Sequence, residues 1–272
     1  MFMINLRNGE IYVIKLKTFG SFTVGNGLTS VQEGAWRSEK LEKLFVYLAM
    51  NRNRGVCIED ISEAIWQVEE ETDNPVGALK NLAYRLRKAL RDASFGEECI
   101  VSVRGGLYKW NDDVEVTIDV EEFDRYINEA EMAFCRSKET AIESYEKAIA
   151  LYHGDFLPLR TDTHWFMTLN AFYHSRYVNT VKALAKLYID TGCYEKLEQL
   201  CTRAIVYERS DEQIYSYLIV ARMRTKKVQM AFDTYETAKA IMDKDLGVRK
   251  TVMLNKVYEE LLSVTKGVSS YN

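Results

Sequence analysis

The chain has 272 residues, of which 47% are hydrophobic and 28% are charged, and its formal net charge at pH 7 is −4. These values are typical of a globular protein with room for two domains, and with only two prolines they exclude long disordered tails. The negative net charge excludes a uniformly basic nucleic-acid binder. Any affinity for phosphate must come from a local cationic patch, because screened charges act over short distances.

Five cysteines are scattered along the chain without a CxxC pair, which is typical of reduced thiols in a cytosolic protein. The N-terminus lacks the apolar stretch of a signal peptide, and no run of 18 apolar residues is present to span a membrane. We therefore expect a cytoplasmic protein without a membrane partner.

The N-terminal region alternates short strand-like segments with turns and then becomes helical. Ile11–Leu16 and Ser21–Val24 are rich in β-branched and aromatic residues and are predicted strands. Ser38 is predicted to cap a first helix. The apolar positions of that helix recur every three or four residues, at Leu41, Leu44, Phe45 and Leu48. A short second helix is predicted near Ile58–Trp66.

A third helix is predicted from Asn74 to about Asp92, because a capping residue there is followed by proline at the first helical position. Two strands are predicted beyond it, joined at a glycine pair. They are Ile100–Val103 and Leu107–Trp110, with Gly105 and Gly106 between them. Strands, three helices and a terminal hairpin in this order outline a winged helix, which is a variant of the helix-turn-helix.

From about Asp119 the pattern is helical to the end, with an internal period of 34 residues. The paired positions are Leu184 with Leu218, Gly192 with Lys226, Tyr194 with Val228, Leu197 with Ala231, and Ala204 with Ala238. This is the tetratricopeptide period, in which antiparallel helix pairs stack. Phe123–Ala133 and a helix carrying Ala141, Tyr145 and Ala148 form a degenerate earlier repeat. We therefore divide the chain into a winged-helix domain, residues 1–117, and an all-α repeat domain, residues 118–272, so the fold is mainly α.

The third helix has two different faces. Its apolar residues lie within about 60° of one direction. They are Leu79, Leu82, Ala83, Leu86 and Leu90. The opposite side carries Gly77, Asn81, Tyr84 and Lys88, flanked by Lys80, Arg85, Arg87 and Arg91. One face can therefore hold the domain while the other enters a major groove about 12 Å wide.

The side chains on that outer face suit DNA. Asn81 can bond to adenine, Lys88 or Arg85 can reach guanine or phosphate, and Tyr84 can touch sugar or a thymine methyl. Residues 75–111 contain three acidic and seven cationic residues: Lys80, Arg85, Arg87, Lys88, Arg91, Arg104 and Lys109. Arg104 precedes the glycine pair, where it can reach backbone or minor groove. A basic helix alone is usually only a solvated face, but here it coincides with the winged-helix order.

Two stretches resemble known families. Residues 12–111 resemble the OmpR/PhoB-type winged-helix domain, through LKTFGSF, DISEAIW, LKNLAYRLRKAL and VRGGLYKW. Residues 118–262 resemble the bacterial transcriptional activation domain (BTAD), through IDVEEF, YHGDFL, the stretch 184–200 and LGV. The order of the two is that of SARP-type transcription regulators.

The resemblance implies sequence-specific binding to double-stranded DNA, often at direct repeats, contact with RNA polymerase, and regulation of transcription as an activator. It places six residues on the recognition helix and Arg104 in the wing. The six are Asn81, Tyr84, Arg85, Arg87, Lys88 and Arg91. Cys57 stands where the family has Ser or Thr as a helix cap, and Glu69–Glu71 make the loop before the recognition helix acidic.

No P-loop and no HExxH motif occur, and the three histidines lie ten or more residues apart. We therefore expect no enzyme activity, no cofactor and no metal. The four tryptophans are interpreted as core anchors: Trp36, Trp66, Trp110 and Trp165. Two alternatives remain open, both acting through the repeat groove. One is a protein-protein adaptor with a degenerate winged helix, and the other is a sensor of a peptide or small-molecule effector. The repeat domain could also bind a second copy of the chain.

Overall fold

A computed structural model describes residues 6–7, 10–11, 13–66, 74–95, 99–103, 106–158, 160, 162–246 and 252–269. The chain forms two compact units. The first comprises Met1–Arg125 and Ala150–His174, and the second comprises Tyr126–Ile149 and Ser175–Asn272. These limits differ from the predicted division between residues 117 and 118, because the first unit also includes a later segment of the chain.

The three N-terminal helices, the hairpin and the C-terminal helices follow one another in the predicted order, whereas the predicted strand Ile11–Leu16 is divided between the strands Glu10–Ile11 and Ile14–Lys17. The strands are β1 (Leu6–Arg7), β2 (Glu10–Ile11), β3 (Ile14–Lys17), β4 (Thr23–Gly25), β5 (Ser30–Gln32), β6 (Ile100–Val103), β7 (Leu107–Trp110) and β8 (Val116–Ile118). The helices are α1 (Glu39–Met50), α2 (Ile58–Ile65), α3 (Pro75–Asp92), α4 (Asp119–Ala133), α5 (Lys138–Leu151), α6 (His164–Thr191), α7 (Tyr194–Tyr207), α8 (Glu212–Arg224), α9 (Val228–Leu246) and α10 (Val252–Ser269).

The first unit contains a two-stranded sheet of β1 and β2 and a four-stranded sheet in the order β5-β4-β3-β8. Strands β3 and β4 are antiparallel, whereas β3 and β8 are parallel. Ile14 and Leu16 of β3 are buried, and Lys15 and Lys17 between them are exposed, as strand alternation requires. The sequence analysis missed β8, because three residues are too few to show a period and the partner strand is 100 residues away.

Helices α1, α2 and α3 confirm the three predicted helices. All four predicted apolar positions of α1 are at most 3% exposed. Ser38 does precede α1, but its side chain makes no capping hydrogen bond, so the predicted side-chain cap was wrong. Glu39 and Glu42 in the first turn complement the positive end of the helix instead. At α2, the Cys57 thiol accepts the Asp60 N–H at 3.4 Å, a weak sulfur cap.

The hairpin of β6 and β7 confirms the predicted wing, and a third segment extends it. Val56 pairs with Tyr108 through two backbone hydrogen bonds of 2.8 and 2.9 Å. Trp110 of β7 is 2% exposed, packs edge-on to Phe45 of α1 and donates its indole N–H to the Val114 carbonyl at 2.8 Å. The first unit is therefore a winged helix with its wing anchored to the helix-turn-helix core.

All four tryptophans lie in the first unit. Trp110 is buried, and the other three are partly buried. The ring of Trp36 packs edge-on to Phe22 and Phe45, and that of Trp165 packs edge-on to Tyr47. The interpretation as packing residues is confirmed for these three.

The second unit confirms the repeat. Three of the paired positions are deeply buried on both sides: Leu184 and Leu218, Leu197 and Ala231, and Ala204 and Ala238. The pair Gly192 and Lys226 occupies equivalent helix-ending turns, with left-handed φ angles of 71° and 62°. In each turn the next residue bonds back to the carbonyl five residues earlier, at 2.8 Å. The 34-residue period is therefore repeated in the backbone hydrogen bonds of the two turns.

Within the described residues, none of the helices is both long and apolar enough to cross a membrane. No group of three or more His, Cys, Asp or Glu in that part of the chain could hold a metal ion.

Candidate nucleic-acid interface

Helix α3 starts and packs as its sequence requires. The Asn74 side-chain oxygen accepts the Gly77 N–H at 2.8 Å, and Pro75 occupies the first helical position. The predicted apolar stripe is buried throughout, and its most accessible member, Leu82, is 5% exposed. This stripe packs against α1 and α2 and fixes which face of α3 points outward.

The outward face of α3 is cationic and polar. Six of the predicted site residues are exposed on it: Lys80, Asn81, Tyr84, Arg85, Lys88 and Arg91. Tyr84 is 65% exposed, so its side chain is accessible to a binding partner. Asp92 is the single acidic residue of α3, against five Lys and Arg. The helix therefore presents hydrogen-bond donors and positive charge to the solvent.

The C-terminal end of α3 is held by the turn between β4 and β5. The helix ends with Ser94 in the left-handed region (φ 63°). Thr29 donates its hydroxyl to the Ala93 carbonyl at 3.0 Å, and the Asn26 amide donates to the Ser94 carbonyl at 3.3 Å. These side chains satisfy carbonyls that a helix end leaves without intrahelical partners. The sequence analysis missed them because they lie more than 60 residues before the carbonyl groups that they bind.

Two predicted site residues occupy a different environment. Arg87 is half-buried, and its Nε–H donates to the Ile100 carbonyl of β6 at 3.1 Å, so it ties α3 to the wing. The Lys109 ammonium lies 2.5 Å from an oxygen of Asp112, and its side chain is 28% exposed. Neither residue belongs to the exposed face of α3. Arg104 and the acidic loop Glu69–Glu71 lie outside the described residues.

A buried cysteine follows the end of α3 in the chain. Cys99, at the base of β6, is fully buried, and its thiol donates to the Phe95 carbonyl at 3.6 Å. Burial raises the pKa of Cys99 to about 12, so the thiol stays neutral at physiological pH. The thiol therefore adds no negative charge beside the exposed Lys and Arg side chains of α3.

Comparison of the chain with known proteins identifies its family. The bacterial transcriptional activator domain family matches residues 118–262. The transcriptional regulator RedD of Streptomyces coelicolor is 23% identical over 238 residues, which are 86% of this chain and 67% of RedD. The structure of Mycobacterium tuberculosis EmbR, in complex with a low affinity phosphopeptide, matches with a TM-score of 0.70 at 18% identity. That match covers 93% of this chain and 65% of the EmbR chain.

The likeness to EmbR supports the architecture of winged helix followed by helical repeats, since at this identity it concerns the fold alone. The family match covers more than half of the chain, and the family is one of transcription regulators rather than enzymes. The chain thus belongs to the bacterial transcriptional activator domain family, as a transcription regulator of the SARP type.

Proposed function

We propose that this regulator binds double-stranded DNA by placing α3 in the major groove. The observation that carries the proposal is the division of α3 into a buried apolar stripe and an exposed cationic face. The groove accepts a helix of this diameter, and base edges inside it present the acceptors that Lys, Arg and Asn recognise. The protein acts in the cytoplasm, where bacterial DNA is located.

The exposed residues divide into base readers and phosphate binders. Asn81, Tyr84 and Lys88 lie along the middle of the outer face, at spacings of three and four residues, and read bases. Lys80, Arg85 and Arg91 lie on its flanks and contact phosphates, as most cationic side chains do at protein–DNA interfaces. Arg104, which precedes the glycine pair in the sequence, reaches the adjacent minor groove or backbone. Arg87 and Lys109 support the wing.

Residues 118–272 supply the regulatory half of the function. Stacked helical repeats offer an extended surface for protein or ligand contacts. We assign to this domain contact with RNA polymerase, pairing with a second copy on direct repeats, or reception of a peptide or small-molecule effector. In this role the chain acts as a transcriptional activator.

The salt dependence of binding to a mixed-sequence DNA duplex tests the proposal. Each phosphate contact that is lost reduces the slope of log K against log salt by about 0.9. We expect Lys88→Ala combined with Arg91→Ala to flatten the slope by about 0.9, because Arg91 is the one of the two assigned to a phosphate, and to weaken binding further through the loss of Lys88. The double variant Lys239→Ala and Lys256→Ala is the matched control, because it removes two exposed charges from the second unit. Equal slopes for the two double variants would contradict the proposed surface.

A further inference from the structure

The connection between α5 and α6, residues 152–163, belongs to the first unit although it lies far beyond the wing in the sequence. Its backbone pairs with the loop after β3. The Gly20 N–H bonds to the Asp155 carbonyl at 2.9 Å, and the Leu157 N–H bonds to the Thr18 carbonyl at 2.9 Å. These main-chain hydrogen bonds fix the register of the connection against the loop after β3.

The same connection supplies partners for two buried charges of α1. Glu42 and Lys43 are each 2% exposed. Arg160 forms an ion pair with Glu42, and Asp162 forms one with Lys43. Arg160 also lies 3.2 Å from an oxygen of Glu33. Removing one partner of a buried pair leaves an uncompensated charge, so α1 depends on the connection for its packing.

A third contact reaches α2, the helix that supports α3. The hydroxyl of Thr163, which is 4% exposed, donates to the Ala64 carbonyl at 2.8 Å. Ala64 is in the last turn of α2, where carbonyls have no partner within the helix. Next to it, the rings of Trp165 and Tyr47 meet edge-on at 4.9 Å. Since α2 packs against α3, whatever holds the end of α2 also limits the orientation of α3.

We propose that Thr163 is a positioning residue for DNA binding: it holds the C-terminal end of α2 and thereby the groove-facing orientation of α3. The inference rests on the proposed function and adds to it a residue that touches no DNA. A buried carbonyl that loses its donor is left without a partner in a poorly solvated place. The end of α2 then opens more often, and the fraction of molecules with α3 ready to bind falls.

Thr163→Val in the full chain tests this inference, because valine keeps the shape and removes only the hydroxyl. The matched control is Thr180→Val: Thr180 is also 4% exposed, and its hydroxyl bonds at 2.8 Å to the Arg176 carbonyl of its own helix. We expect amide protection in α2, measured by hydrogen exchange without DNA, to fall about tenfold in Thr163→Val and not in Thr180→Val. Thr163→Ser, which keeps the hydroxyl, should restore most of it.

Binding to a DNA duplex well below the unfolding temperature is the second readout. We expect Thr163→Val to weaken affinity about three- to tenfold with an unchanged salt slope, because no phosphate contact is lost. If Thr163→Val does not fold, Asp162→Asn, which weakens the partner of Lys43, should lower protection in α1 and α2 with the same effect on affinity.

The outcomes separate the two proposals. Equal α2 protection in Thr163→Val and Thr180→Val, or lowered protection with wild-type affinity, would overturn the positioning role. If the wild type binds no duplex in a salt-dependent way, the proposed function fails. The hydrogen exchange comparison then still decides whether Thr163 holds α2.

Discussion

At the residue scale, two equivalent turns of the repeat place different residues in the same left-handed backbone conformation. Gly192 and Lys226 both adopt the left-handed conformation that ends a helix. Glycine adopts it without strain, whereas a residue with a Cβ meets its own carbonyl oxygen. A Cβ added at Gly192 would meet no atom within 4 Å beyond those of its chain neighbours, so the strain there would be local to the backbone. The sequence period located this turn, but it gave no sign that Lys226 is left-handed.

We therefore expect opposite effects from two substitutions at equivalent positions. Lys226→Gly should raise the free energy of unfolding of the second unit by about 1 kcal/mol, because it relieves left-handed strain. Gly192→Ala should lower it by about 1 kcal/mol for the same reason. Urea denaturation followed by far-ultraviolet circular dichroism measures both. Effects of the same sign in the two variants would show that backbone strain does not govern these turns.

A second residue-scale prediction concerns pH. His174 and Tyr152 hydrogen-bond to the Asp155 carboxylate, at 2.8 and 2.6 Å, and hold the pKa of Asp155 below its ordinary value, although partial burial opposes them. A carboxyl whose pKa is depressed by folding stabilises the protein above its unfolded pKa, about 3.9, and loses that contribution as the pH falls through the folded value.

The wild type should therefore exceed Asp155→Asn in stability most clearly above about pH 5, and the difference should shrink toward pH 3. Hydrogen exchange of the first unit over this range measures it. Asp113→Asn, which changes an exposed carboxyl of the same unit, should keep the wild-type acid dependence. A difference that stays constant with pH would contradict this role for Asp155.

At the element scale, α3 was predicted best because its signals are local. Asn74 and Pro75 mark its start, its stripe repeats every three or four residues, and its outer face is the one expected. The errors in the prediction concern the hydrogen-bond partners of individual side chains. Nothing near Arg87 in the sequence indicates that its guanidinium bonds to β6, and nothing near Ser38 indicates that its hydroxyl leaves the cap unmade. Local pattern sets a helix and its faces, whereas the partners of individual polar atoms depend on the folded neighbours.

The two N-caps provide a matched test. Asn74→Ala should lower the free energy of unfolding by about 1 kcal/mol, because the Gly77 N–H loses its side-chain acceptor. Ser38→Ala should change it by less than about 0.5 kcal/mol, because the serine makes no capping hydrogen bond. Chemical denaturation of both variants measures the difference. A larger loss for Ser38→Ala would mean that the helix ends are stabilised in another way.

At the scale of the whole molecule, the sequence predicted the order of the two folds but not the limits of the first unit. Strand β8 and the α5–α6 connection join it through contacts with partners about 100 residues or more away, which leave no period in the sequence. Asp119, directly after β8, shows how firmly this segment is bound to the loop after β3. Its buried carboxylate accepts the backbone N–H groups of Thr18 and Phe19 at 2.8 and 2.9 Å, and the Thr18 hydroxyl at 2.6 Å.

Asp119→Ala should therefore destabilise the first unit by about 3 kcal/mol or more, because two buried N–H groups and a hydroxyl lose their acceptor together. Hydrogen exchange should show the loss of protection in β3 and the neighbouring strands. Asp113→Ala, at an exposed site of the same unit, should stay within about 0.5 kcal/mol of the wild type. Equal effects at the two aspartates would refute a structural role for Asp119.

The distribution of tryptophan has a practical consequence. Because all four indoles lie in the winged-helix unit, the intrinsic fluorescence of the protein excited near 295 nm reports on that unit without a label. Titration with DNA or denaturant would change the emission through Trp36, Trp66, Trp110 and Trp165. The second unit, which carries tyrosine but no tryptophan, contributes no indole signal, so the chain contains its own optical probe for one of its two compact units.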